Sequence, residues 1–358
     1  MIGPRRFREI LVSGSPLRLV LLTAVLCALW ALLRAPLTAE ESRLYRRVEA
    51  AQAFLWDALE REGVPGDAAA DPYRSGFIGV EWSMTTTTLG SLEAKRCATD
   101  PLWAVRLLRW FDAQGLKEGD RIVVLASSSF PGLLHSVLAA AEHRGLDVGL
   151  AVSLGASTWG ANRPEAPWPV LARILRRGGF LRARPAFYTL GGEEENGGGM
   201  PEEARELLAG AARSDGTALL LAATLEEAIQ RKMRLVEGED GEAPARLVVG
   251  VGGSEGNMGT DPVALSLAPG MRGPGDGGAA GNGVIGRALR AGYPVLHLLN
   301  LRALADAEGI GWAERRRSFA SRGPVPGALG LALFALVLAT HRRWSWDGWE
   351  EGDGRKEL

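Results

Sequence analysis

Apolar positions along the chain switch repeatedly between a period of two and a period near 3.6, and the switching predicts an α/β domain. Ile122 to Ala126 (IVVLA) is a short β-branched run ending in the polar turn Ser127-Ser128-Ser129-Phe130-Pro131-Gly132, after which residues 133–143 take up helical spacing. Residues 148–152 form the next expected strand, which runs into Ser153-Leu154-Gly155-Ala156-Ser157-Thr158-Trp159-Gly160-Ala161-Asn162. Further strands are expected at 186–190, 218–222, 246–251 and 294–298, and helices at 101–114, 201–212, 225–236, 284–291 and 301–307. The pattern predicts an open, mostly parallel, doubly wound (Rossmann-like) sheet. Its glycine- and hydroxyl-rich turns would then share the carboxyl edge, where such sheets bind ligands.

Ahead of the sheet, residues 40–62 read as a charged amphipathic helix with Leu44, Val48, Ala51, Leu55 and Leu59 at intervals of three and four. Gly63-Val64-Pro65-Gly66 stops it. Two uncharged apolar blocks bracket the domain. Residues 19–33 follow Arg5, Arg6, Arg8 and Arg18, and residues 325–340 precede His341, Arg342 and Arg343. Each is a little short of the ~20 residues that a span usually needs, and snorkelling arginines extend the first.

The expected organisation is therefore a basic tail (1–16), a transmembrane helix (17–35), a stalk helix (36–66), the α/β domain (67–312), a linker (313–324), a transmembrane helix (325–341) and a polar tail (342–358). The arginine bias of the first tail places the α/β domain extracytoplasmically at the cell membrane.

Composition narrows the function classes. A formal net charge of −1 over 358 residues gives no basis for binding nucleic acid. Cys27 lies in the first apolar block and is poorly placed to pair with Cys97, so neither a disulfide nor a thiolate metal site is expected. The four histidines lack H-E-x-x-H spacing, and both the Walker A pattern and a full G-x-G-x-x-G register are missing. No metal or cofactor is expected.

Candidate ligand-binding residues follow from the carboxyl-edge loops and the stretch before the sheet. They are Thr88, Ser91, Lys95 and Arg96; then Ser127, Ser128, Ser129 and Gly132; then Gly155, Ser157, Thr158, Trp159 and Asn162; then Gly253, Ser254 and Asn257; and Asn300. Glycines let backbone amides approach a ligand, hydroxyls donate to it, and helix N-termini favour anions. Covalent chemistry is a competing reading. Ser127 or Ser129 sits where a nucleophile elbow would, though without its flanking glycines, and Glu255 or His297 would serve as base. Glu193, Glu194 and Glu195 read either as magnesium ligands or as a solvated loop.

As a set, Thr85-Thr86-Thr87-Thr88-Leu89-Gly90-Ser91-Leu92-Glu93-Ala94-Lys95-Arg96, Ser129-Phe130-Pro131-Gly132, Gly155 to Asn162, Gly283-Val284-Ile285-Gly286 and His297-Leu298-Leu299-Asn300 resemble the poly-gamma-glutamate system protein family. The similarity runs from about Tyr45 to Leu304. It implies a membrane-associated accessory protein working beside the components that make and export poly-γ-glutamate, a capsule or released polyanion, and it brings no catalytic residues with it. Lys95, Arg96 and Arg163 suit a carboxylate-bearing ligand. Three functions follow: an α/β domain that binds a γ-glutamyl or other carboxylate ligand, a serine-dependent amide hydrolase or transferase acting on γ-glutamyl bonds, and a non-catalytic scaffold of the synthase complex.

Overall fold

Strand β2 (Arg121–Ser127), buried over its whole length, is the axis of a six-stranded sheet in the order β5-β3-β2-β6-β8-β7. The structure is a computed structural model that describes residues 37–312, apart from residue 240. β3 (Asp147–Ser153), β5 (Phe187–Thr189), β6 (Leu247–Val251) and β8 (Val295–Leu298) run parallel with β2 through register pairs such as Leu125↔Ala151 and Leu125↔Gly250. β7 (Gly270–Arg272) closes the far edge antiparallel to β8. A separate two-stranded parallel pair joins β1 (Thr86–Thr88) to β4 (Ala156–Ser157).

The apolar runs that read as strands are buried on both faces, which requires a helical layer on each side. One layer is α7 (Leu225–Glu237) and α9 (Val284–Arg290). Ile229, Met233, Val236, Ile285 and Leu289 of these helices pack with Val123, Leu125 and Val248 in one core cluster. α2 (Leu92–Ala98), α3 (Leu102–Ala113), α4 (Pro131–Arg144) and α10 (Leu301–Glu308) form contacts among themselves, with α3 lying along α4. α4 begins at Pro131, whose fixed φ suits the first helical position, and ends on Gly145 at φ +72°, a left-handed cap. The remaining helices are α1 (Ala39–Arg61), α5 (Trp168–Arg177), α6 (Glu202–Ser214) and the single turn α8 (Glu255–Met258).

The sheet is mixed but mostly parallel, as expected: only Gly270–Arg272, too short to register as a strand, pairs antiparallel with β8. The structure corrects the expected fold class in one respect. Among the described residues no helix is long and apolar enough to cross a membrane, so flanking transmembrane helices are not part of the fold described here. The two apolar blocks, 17–35 and 325–341, and the tails beyond them lie outside the described residues.

Local differences have simple causes. Residues 218–222 hold only an isolated bridge, Tyr188↔Leu219, because β5 is too short to template another strand. α5 carries the basic Arg173, Arg176 and Arg177 between its apolar positions and was not anticipated. α1, read as a stalk, buries Leu44, Val48, Ala51, Leu55 and Leu59 and joins α3 through the Arg109–Glu41 ion pair at 2.6 Å.

Candidate functional site

The strand order reverses between β2 and β6: the chain builds outward through β3 and β5, then returns to the other side of β2 with β6 and β8. Open α/β sheets leave a crevice at such a reversal, outside the carboxyl ends of the two strands. Here it is bounded by the turn from Ser127 to Phe130 and the turn from Gly252 to Ser254. α4, fourteen residues long, starts beside this crevice with no side chain capping it, which leaves the positive end of its dipole there, although Pro131 has no amide N–H and Gly132 and Leu133 are buried. Ser127 closes the bottom. Its buried hydroxyl has no hydrogen-bond partner, and Gly252, at φ +75°, leaves the space it occupies, since a Cβ there would lie 2.4 Å from Ser127 Oγ.

Beside the crevice stands Lys95, only 2 % exposed. Its ammonium donates to the carbonyl of Ser129 at 2.5 Å and to Ser157 Oγ at 2.7 Å, and lies 3.7 Å from the centre of the Phe130 ring. Ser129 Oγ in turn accepts the amide of Ser157 at 3.0 Å. Among the described residues no carboxylate bonds to Lys95, so burial acts without a counter-charge and brings its pKa down from 10.5 to about 7. Thr158 flanks the group by clasping Gly90, donating to its carbonyl and accepting its amide, both at 2.7 Å. Gly90 fits closely: a Cβ there would sit 3.0 Å from Ser157 Oγ and 3.3 Å from Lys95 Cε.

A second polar cluster, on the β6 side of β3, is closed to solvent. Glu195 and Lys232, 0 % and 1 % exposed, are paired at 2.7 Å. Ser153 Oγ donates to Glu195 at 2.6 Å, Thr189 donates to the same carboxylate, and the Gly256 amide donates at 2.8 Å. Lys232 also reaches Asn257 Oδ1 at 3.1 Å, and Asn257 donates to the Leu125 carbonyl. Burial works to raise the Glu195 carboxyl, but the Lys232 charge and these hydrogen bonds outweigh it and hold it at about 2. The cluster locks the loop after β5, where Glu194 and Glu195 both take positive φ, onto the turn after β6.

The structure thus sorts the residues singled out from the sequence. Lys95, Ser129, Ser157 and Thr158 converge, with Thr88 paired to Ser157 across the small sheet. Ser254 and Asn257 belong to the buried cluster, and Ser254 Oγ lies 3.5 Å from Lys232. Other polar candidates serve the fold. Ser91 caps α2, Asn300 caps α10, Ser128 bonds the Ser153 carbonyl, and Asn162 grips Val80 and Thr86. Arg96 turns away to the carbonyls of Ala69 and Ala70, and Arg163 bonds the Pro65 carbonyl.

Gly132 and Gly155 allow close packing against Thr99 and Thr87, whereas Gly253 is exposed on the β6 turn. Trp159 is half-buried in a left-handed conformation, φ +63°. Glu255 accepts the Glu194 amide at 2.7 Å. His297 lies within β8, 1 % exposed, with burial and Arg272 lowering its pKa to about 4. Neither Glu255 nor His297 hydrogen-bonds to Ser127 or Ser129, so the serine–base pairs suggested by the sequence are not assembled.

Phe130 and Gly90 beside Lys95, and Thr189, Gly256 and Lys232 in the buried cluster, are members that sequence reasoning passed over. Only Lys232 left a usable signal: it occupies the apolar stripe of α7, between Ala228, Ile229, Met233 and Val236, where a lysine requires a buried partner. Among the described residues no group of three or more His, Cys, Asp or Glu side chains is placed to hold a metal ion. No protein-family model matches the chain, and no match was found among curated proteins or solved structures.

Proposed function

We propose that the α/β domain binds the carboxylate of an acidic ligand, a γ-glutamyl chain or a related molecule, at the rim where Lys95 meets the start of α4, and that it does so as an accessory of poly-γ-glutamate synthesis or export. One observation carries the ligand reading: among the described residues the buried Lys95 amine has neutral partners and no anion beside it. An incoming carboxylate provides the missing charge, and the positive end of the α4 dipole adds a second favourable field. The polymer assignment draws on the sequence resemblance, with which a carboxylate-selective rim is consistent.

The sign of the pH dependence follows. A bound carboxylate favours the ammonium and raises the Lys95 pKa above its free value of about 7. Affinity is greatest below pH 7 and falls as pH rises through that value, with proton uptake accompanying binding between the free and bound pKa values. Calorimetry of the full chain with γ-glutamyl oligomers at low salt, at pH 6 and pH 8.5, tests this. Tighter binding at pH 6, lost in Lys95→Met, is the expected result. No heat at either pH, or undiminished affinity in Lys95→Met, overturns the proposal.

A further inference from the structure

We infer that Ser157 is a nucleophile for acyl transfer and that Lys95 is its general base, so that the rim cleaves an ester or amide as well as holding a carboxylate. The inference rests on the ligand reading for the position of the site and uses the other protonation state of the same amine. Three geometric facts support it. Ser157 Oγ and Lys95 Nζ are 2.7 Å apart, within the range for direct proton transfer. Lys95 is held from two further sides by the Ser129 carbonyl and the Phe130 ring, so its nitrogen cannot swing away. Ser157, 5 % exposed, is fixed through its own amide to Ser129 Oγ, and its neighbour Gly90 sets no side chain against its hydroxyl.

The charged neighbours do not compete. On α2, Arg96 is bonded to Ala69 and Ala70 and Glu93 is exposed, while β4 and the start of α4 present only Ser157, Ser129 and Phe130 to the amine. Near neutral pH a substantial fraction of Lys95 is the free amine required of a base.

The atoms balance without any further reagent than water or an acceptor amine. As Ser157 Oγ bonds to the acyl carbon, its proton passes to neutral Lys95. The bond from that carbon to the leaving nitrogen or oxygen breaks, and the Lys95 ammonium returns the proton to the departing group. The acyl-Ser157 ester is then attacked by water or an amine, which gives its proton to Lys95. Ser157 leaves and regains that proton. With water as acceptor the product is a carboxylic acid that ionises beside Lys95, where the proposed function places a carboxylate.

The test uses p-nitrophenyl acetate with the full chain, followed by intact-mass and peptide-mass analysis. One acetyl group on Ser157 is expected, formed at a rate that rises with pH and levels off above about 7. Ser157→Ala should lose the adduct. Lys95→Arg retains a cation that cannot deprotonate, and should slow acylation by at least ~100-fold, the usual contribution of a positioned base. Melting curves establish that each variant is folded, and Ser157→Cys provides a second nucleophile should Ser157→Ala prove unstable.

Acylation of Ser129, or of lysines at a rate unchanged in Ser157→Ala and Lys95→Arg, overturns the inference. So does the absence of any adduct on a folded protein. Calorimetry of Ser157→Ala with γ-glutamyl oligomers separates the two readings: retained binding with lost acylation leaves the ligand site standing when the chemistry fails, and lost binding in Lys95→Met removes both.

Discussion

Replacing Lys95 by methionine should change how stability depends on pH, and the size of the change can be worked out. In the unfolded chain the amine has its ordinary pKa of 10.5; folded, it has one of about 7. Between those values the unfolded state binds the extra proton, so stability rises with pH across the window, and the cost of burying the charge is felt fully only below about 7. The difference of 10.5 and about 7, at about 1.4 kcal/mol for each unit, sets an upper limit of about 5 kcal/mol for that cost.

From pH 7 to pH 9 the same linkage predicts that the wild type gains about 2 kcal/mol relative to Lys95→Met. The variant lacks the titrating group, and subtracting its curve removes the contributions of other residues. Urea unfolding of both proteins at pH 7, 8 and 9 measures the quantity. Parallel curves would mean that Lys95 keeps its proton throughout, and neither the pH-dependent affinity nor the free base would then have a foundation.

Other perturbations address the remaining parts. Lys232→Met should destabilise the domain by about 3–5 kcal/mol, because it strands the buried Glu195 carboxylate, and adding Glu195→Gln should restore most of the loss. Simple additivity in that double-mutant cycle by urea unfolding would show the pair to be uncoupled. His135 and His297, both pushed down to about 4 mainly by burial, are neutral in the fold and charged in the unfolded chain below 6.5; each should withdraw up to about 3 kcal/mol as pH falls from 6.5 through 4. His135→Phe should flatten part of that acid loss in melts between pH 7 and pH 4, and an unchanged slope contradicts the assignment. Gly90→Val places branches against Ser157 Oγ and Lys95, so γ-glutamyl binding should fall at least tenfold while the overpacking lowers stability by about 1–3 kcal/mol, and unchanged calorimetric affinity in the folded variant would contradict the placement of the site.

Some of this protein is written directly in its sequence. β2, β3 and β6 announce themselves because a strand buried on both faces must be a continuous apolar run, and the Pro131 start and Gly145 stop of α4 are local backbone chemistry. The parallel order places the polar turns on one edge, so Ser129, Ser157 and Thr158 could be nominated together, with Lys95 added from the hydroxyl-rich stretch before the sheet. Pairing strength decided β7 and residues 218–222: three glycine-tolerant residues gained a partner strand, whereas a better apolar run beside the short β5 kept only one bridge.

Side-chain fate was decided only by the tertiary structure. Lys95 and Arg96 are adjacent in sequence, but about 100° apart around α2, so one turns into the rim while the other ties down a distant loop. Glu195 reads as part of an exposed acidic run until Lys232, 37 residues away, meets it in the dark. Sequence fixes what each segment can form; burial, a cooperative property of all the segments at once, decides which polar groups lose water and must find each other.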